Sequence, residues 1–219
     1  MMASFGKYGT CFFEQYAKIS LTEILGSYFG DLENRDRPDL QSADRKSLGI
    51  EVTRAMEQSK EAAASLLKEM SGIRPRNDDE EDDMARIVEN GYGFGLQQGR
   101  YIGSRELPYW SMAPPLKRIL QSKVSKAGNG FYGVFDRLGL YVFCKDDLTD
   151  EKVRKTVRYV MDLQKYQDIR YNRLYLSEVS TLYVCNLDDG LSPDTRIMRF
   201  PILPEQRTEF YLRALRKQF

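Results

Sequence analysis

The clearest pattern in the chain is a run of six residues in which apolar and polar side chains alternate. It spans 48–53 with the sequence LGIEVT, and its period of two predicts a β-strand. The polar segment 42–47 precedes it and predicts a loop that joins it to an earlier, shorter strand. Because residues two apart in a strand share a face, Glu51 and Thr53 are expected to point to the same side.

Later segments predict the rest of a sheet. The run 138–143, LGLYVF, is almost continuously apolar, as in a central strand buried on both faces. Apolar segments at 174–179 and 182–187 predict two more strands. The segment 197–203 predicts an edge strand, because Pro201 interrupts it.

Helical spacing of apolar residues predicts the layers that cover this sheet. The first helix is expected from Cys11 to Phe29, with Gly30 at its end or a restart at the capping box that opens with Ser20. A later helix is expected to begin at Asp147 or Thr149. The remaining helices are predicted at 54–70, 114–128 and 205–217. The order of elements predicts a single α/β domain over 1–219, with a central mixed sheet flanked by helices and a C-terminal helix.

The segment 72–115 predicts an insertion in this domain. It contains the acidic run 78–83, which is typical of a solvated loop. It also contains several glycines between Gly91 and Gly99, but no Gly-Lys-Ser/Thr follows them, so a phosphate-binding loop is not indicated.

Composition limits the available chemistry. The chain has no histidine, which excludes histidine-based triads and zinc sites with histidine ligands. Its 33 basic and 32 acidic residues leave a net charge of only +1. A nucleic-acid surface would therefore need basic residues gathered on one face. The three dispersed cysteines, the lack of a signal-peptide core and the lack of a membrane-length apolar run predict a cytoplasmic protein.

Two acids stand where the predicted strand pair could bring them together. Asp39 comes just before the polar loop and Glu51 lies in the strand after it. Two converging carboxylates repel each other unless a cation neutralises them, and Mg²⁺ prefers such oxygen ligands. The sequence therefore predicts a Mg²⁺ site, with Mn²⁺ as an alternative ion.

Pro38-Asp39, followed twelve residues after the aspartate by Ile50-Glu51-Val52-Thr53, resembles the signature of the PD-(D/E)xK nuclease superfamily. The layout is similar too: a helix with an acid precedes the motif, and a basic helix, a Phe-Tyr linker and a buried strand follow it. The resemblance implies a restriction-endonuclease-like core and a metal-dependent endonuclease, with DNA as a more usual substrate than RNA. It implies Asp39 and Glu51 as catalytic metal ligands.

Thr53 departs from this signature, which has a lysine at that position. The resemblance implies that another lysine takes its role, and Lys123 on the basic helix is the preferred candidate. Weaker candidates are Lys126, Lys46 and Lys60. For the acid on the first helix, which would be a further metal ligand, Glu23 is preferred and Glu14 is second. Gln121, like Thr53, is a candidate auxiliary residue.

In the alternative prediction, the protein has the same fold but cleaves weakly or not at all, and it acts as a nucleic-acid-binding or assembly module. In that case the basic helix binds phosphates through Lys117, Arg118, Lys123 and Lys126. A third alternative is an α/β protein that binds a protein partner. Nucleic acid, and no membrane, is the predicted partner, and nucleases of this kind often form homodimers.

Overall fold

The computed structural model of the chain describes residues 12–55, 96–97, 100–101, 115–144, 148–178, 180–188, 190 and 196–216. The first helix, α1, spans Phe12–Leu25. It ends at Gly26, whose φ of 123° few other residues adopt, and a short 3-10 helix at Ser27–Asp31 follows. The predicted continuation to Phe29 is therefore wrong. Ser20 does not cap a helix either, since it lies buried inside α1.

Seven strands form one mixed sheet. In chain order these are β1 (Glu33–Asn34), β2 (Leu40–Gln41), β3 (Leu48–Ala55), β6 (Arg137–Cys144), β7 (Arg173–Ser177), β8 (Thr181–Asn186) and β9 (Ile197–Pro201). Their spatial order is the same, and β3, β6 and β7 are parallel while the other neighbours are antiparallel. The predicted strand pair, central strand and edge strand are confirmed. The predicted helix at 54–70 starts too early, because Arg54 and Ala55 belong to β3.

Helices cover both faces of this sheet. The basic helix α2 (Pro115–Gly128) connects β3 to β6, and α3 (Asp150–Leu163) connects β6 to β7. Two such crossovers in one direction put both helices on one face. Helices α1 and α4 (Pro204–Arg216) pack against each other on the other face. Thr149 is the residue that caps α3, through its side chain and the Lys152 backbone N–H.

Large aromatic side chains fill the core on the α1 side. Phe13 and Tyr16 contact Phe143 of β6, at ring-centroid distances of 4.9 and 5.8 Å, and Tyr16 also contacts Phe210 of α4. The Ser20 hydroxyl lies 3.0 Å from the hydroxyl of buried Tyr141. These contacts fix α1 across the central strands, and so fix the direction in which its first turn points.

Most of the predicted insertion lies outside the described residues. Within it, the structure describes an antiparallel pair, β4 (Leu96–Gln97) and β5 (Arg100–Tyr101). The acidic run 78–83 and the rest of the helix predicted at 54–70 also lie outside the described residues, as does Cys11. Cys144 and Cys185 are buried free thiols. None of the helices in the described ranges is long and apolar enough to cross a lipid bilayer.

Gly49 lets the turn before β2 pack closely on β3. A Cβ atom at Gly49 would lie 2.6 Å from Pro38 Cγ and 3.1 Å from the Phe135 ring, which is too close for real atoms. We expect Gly49→Ala to lower the free energy of unfolding by about 1–3 kcal/mol, the usual cost of overpacking. Urea unfolding measures it.

The matched control is Gly30→Ala, whose added methyl group meets only the Thr22 side chain, at 3.3 Å. We expect a smaller loss there. Equal losses for the two variants would show that the contact between Pro38 and Gly49 does not constrain the turn.

Candidate active site

Asp39 lies at the point where β2 begins and pairing with β3 stops. The recorded pairs are Leu40 with Ile50 and Gln41 with Gly49, so the next pair in the same antiparallel register is Asp39 with Glu51. Side chains at facing positions have Cβ atoms about 4.5–5.5 Å apart. The register therefore brings the two predicted acids together on one face of the sheet.

The Asp39 carboxylate also accepts a backbone hydrogen bond from β3, at a position where β2 is too short to provide a carbonyl acceptor. The Val52 backbone N–H donates to Asp39 Oδ2 over 2.7 Å, and the Arg35 N–H donates to the Asp39 carbonyl over 2.8 Å. Buried backbone donors need such partners. Asp39 is thus held by backbone contacts on both sides, and its orientation is set by the sheet itself.

Glu51 forms a buried ion pair with Lys123. The Lys123 Nζ lies 2.8 Å from Glu51 Oε1, and the two residues are only 5% and 7% exposed. Lys123 reaches the sheet from α2, which lies on the face to which Glu51 points. The structure thus brings Asp39, Glu51 and the preferred lysine into one cluster.

The position of Lys123 is supported from behind by Tyr171. The Tyr171 hydroxyl donates to the Lys123 carbonyl over 3.4 Å, and the Gln164 side chain both donates to and accepts from the Tyr171 backbone. Sequence analysis did not identify these two supports, because neither belongs to a periodic pattern or motif that points to α2.

The cluster holds two carboxylates against one ammonium group. Burial raises the pKa of the Asp39 carboxyl well above its ordinary value, and the neighbouring Glu51 and Glu14 carboxylates raise it further. Lys123 and the Val52 N–H lower it but do not reverse this direction. Ionised Asp39 is therefore unfavourable here without a further positive charge.

The helical acid near this cluster is Glu14 and not Glu23, which we had preferred. Glu14 accepts a hydrogen bond from Asn34 of β1 over 2.8 Å and acts on the Asp39 pKa. Glu23 instead forms an ion pair with Arg213 of α4, 2.6 Å away. The two acids are nine residues apart, which is about 13.5 Å along a helix. The chain reversal after Gly26 was the signal that favours Glu14, since it folds β1 back beside the first turn of α1.

The other predicted residues take more peripheral places. Thr53 is buried on the same face as Glu51, and Lys46 is exposed in the loop between β2 and β3.

Gln121 and Lys117 are exposed on α2, where both lie beside Tyr159 of α3. Lys126 lies one turn after Lys123, over the Phe131 ring. The backbone of Arg118 belongs to α2, and Lys60 lies outside the described residues.

The oxygen atoms of this cluster fit a hard cation such as Mg²⁺. Asp39 Oδ2 accepts from the Val52 N–H and Glu51 Oε1 from Lys123, and a cation would take the second oxygen of each carboxylate. No group of three or more acidic, histidine or cysteine side chains in those ranges forms a ready-made metal site. Mg²⁺ commonly needs only one or two carboxylates and keeps several waters, so two oxygens are a sufficient protein contribution.

Comparison with known protein families, with curated proteins and with solved structures finds no match to this chain.

The raised Asp39 pKa predicts how stability depends on pH in metal-free protein. An acid whose pKa is higher in the folded state stabilises the fold only while protonated, and this contribution is lost as pH rises above the unfolded value of about 3.9. We therefore expect Asp39→Asn to be more stable than the wild type at neutral pH, with a difference that shrinks toward pH 4. Urea unfolding in EDTA across this range measures it.

Asp44 provides a control of opposite sign. Its carboxylate accepts hydrogen bonds from the Ser42 hydroxyl and the Lys46 and Ser47 N–H groups, which hold its pKa below the ordinary value. Asp44→Asn should therefore destabilise the protein at neutral pH. If Asp39→Asn also destabilises the protein at neutral pH, the negative charge of ionised Asp39 does not destabilise the fold, and the prediction is wrong.

Proposed function

We propose that this protein is a metal-dependent nuclease that hydrolyses phosphodiester bonds, with DNA as the more usual substrate. The observation that carries this proposal is the cluster of Asp39, Glu51 and Lys123 at the start of β2. Among the described residues this cluster contains two acids and one lysine, which the scaffold holds in place. Such a cluster suits a divalent cation and a phosphate.

The arrangement of elements supports a restriction-endonuclease-like core. An acid-bearing helix, two short strands and the Glu51 strand come first, and the basic helix α2 then leads to the buried strand β6. This is the layout on which the resemblance to the PD-(D/E)xK superfamily depends. The position of Lys123 also supports the idea that a lysine from α2 takes the role left open by Thr53.

In this proposal Asp39 and Glu51 would hold the cation, and the neighbouring Glu14 carboxylate would add negative charge at the site. Mg²⁺, when bound, lowers the pKa of a bound water and offsets charge on the phosphate. Lys123 contributes the ammonium group, which orients the attacking water and stabilises negative charge that develops on the phosphate oxygens. Because Lys123 is buried and its backbone is held by Tyr171, this charge is directed at the site before substrate arrives.

One observation favours a second candidate, a nucleic-acid-binding module that does not cleave. The Lys123 ammonium group already neutralises Glu51, and a buried ion pair of this kind does not require a metal ion to balance its charge. A cleavage assay separates the two functions, because only the nuclease requires the acids for turnover.

We expect purified protein to cleave plasmid or single-stranded DNA with Mg²⁺ or Mn²⁺ and to lose this activity in EDTA. Asp39→Asn and Glu51→Gln keep the shape of each side chain but remove a negative charge from the metal ligands. Each should lower the cleavage rate by about 100-fold or more, a loss at least as large as that from removing groups that only support metal ligands. Gel electrophoresis of the products measures it.

The matched controls are Glu23→Gln and Asp44→Asn, which remove acids outside the cluster. Both should cleave at the wild-type rate. Cleavage that persists in Asp39→Asn and Glu51→Gln would reject this site. Metal-independent binding without any cleavage by the wild type would favour the second candidate.

A further inference from the structure

Two positively charged side chains lie over an exposed aromatic ring next to the proposed site. The Phe131 side chain is 43% exposed, although phenylalanine usually lies in the core. The Arg37 guanidinium carbon lies 4.8 Å from its ring centroid, and Lys126 Nζ lies 5.3 Å from the same centroid. Both distances are within the range of attractive cation–π contacts.

The two cations belong to the same two elements that supply the candidate active site. Arg37 precedes Asp39 by two residues, so their Cα atoms are at most about 7 Å apart. Lys126 follows Lys123 by three residues on α2, which places it on the neighbouring turn of the same helix. Phe131, whose N–H donates to the Lys126 carbonyl over 3.0 Å, therefore links the turn that carries Asp39 to the helix that carries Lys123.

The backbone at Arg37 adopts a conformation that is unusual for its residue type. Its φ is 63°, in the left-handed region that non-glycine residues rarely occupy and that is found at binding sites more often than elsewhere. The side chain remains about half exposed, with Asp36 3.4 Å away as an exposed ion-pair partner. The strained turn presents the guanidinium group on the protein surface, beside the ring, rather than burying it.

We propose that Arg37, Phe131 and Lys126 form a phosphate clamp, which binds a backbone phosphate of nucleic acid next to the bond that is cleaved. The inference rests on the proposed action on nucleic acid. Arginine and lysine are the side chains that bind phosphate oxygens most strongly, and the ring limits the freedom of both. The chain has a net charge of only +1, so its overall charge does not attract nucleic acid strongly. A local pair of oriented cations provides a positive surface that a phosphate can recognise.

The test measures how binding depends on salt. Fluorescence anisotropy is recorded with labelled duplex DNA and a labelled RNA duplex of the same sequence, using Asp39→Asn protein so that the ligand stays intact. For DNA, Arg37→Gln and Lys126→Gln should each reduce the slope of log K against log salt concentration by about 0.9, because each removes one phosphate contact. Phe131→Leu keeps both charges and should weaken binding about 5-fold with little change in slope.

The matched control is Arg199→Gln. The Arg199 guanidinium carbon of β9 lies 5.8 Å from the Tyr183 ring centroid, so this substitution removes a similar cation–π pair. Strand β9 is five strands from β2, roughly 24 Å away. The substitution should leave affinity and slope unchanged. An equal effect of Arg199→Gln, or unchanged slopes in the Arg37 and Lys126 variants, would overturn the clamp, and so would an absence of binding to either duplex at low salt.

These outcomes are distinguishable from those of the proposed function. Metal-dependent cleavage that requires Asp39, together with unchanged salt slopes, would reject the clamp and leave the nuclease in place. Reduced slopes in a protein that does not cleave would leave the clamp in place and reject the nuclease.

Discussion

The β2 strand is shorter than its neighbour β3, and the geometry of the candidate site depends on how this mismatch is resolved. Just before β2 begins, the Val52 N–H donates its hydrogen bond to the Asp39 side chain, which places a carboxylate beside Glu51. Two acids are thus held together by a backbone requirement of the sheet. Lys123 forms an ion pair with Glu51, and the pKa of Asp39 is raised first by burial and then by the neighbouring Glu51 and Glu14 carboxylates.

The rest of the fold keeps these charges in place. The crossover from β3 to β6 carries α2 over the face to which Glu51 points, and Tyr171 fixes the backbone of Lys123. On the other side of the sheet, aromatic packing of α1 against β6 determines where Glu14 lies. Stability and proposed function oppose each other at Asp39, because the substitution that we expect to stabilise the metal-free protein would remove a proposed metal ligand.

Much of this could be predicted from the sequence, because hydrophobic periodicity specifies which segments form strands and helices. The alternation around Glu51 and the apolar run in β6 placed both strands correctly, and the resemblance to the nuclease signature made Lys123 the preferred lysine. The end of α1 was missed because the apolar spacing continues past Gly26. The choice between Glu23 and Glu14 depends on how the chain folds back after that glycine, which apolar spacing does not encode. Arg37 and Phe131 were missed because their contact depends on a turn conformation that periodicity does not encode.

The central claim is that Asp39 and Glu51 hold one divalent cation, and calorimetric titration with Mn²⁺ tests it most directly. The account predicts one binding site in the wild-type protein and in Asp44→Asn, and its loss in both Asp39→Asn and Glu51→Gln. It also predicts proton release on binding, since the cation replaces a proton that the raised Asp39 pKa favours. Unchanged Mn²⁺ affinity and stoichiometry in Asp39→Asn and Glu51→Gln would contradict it.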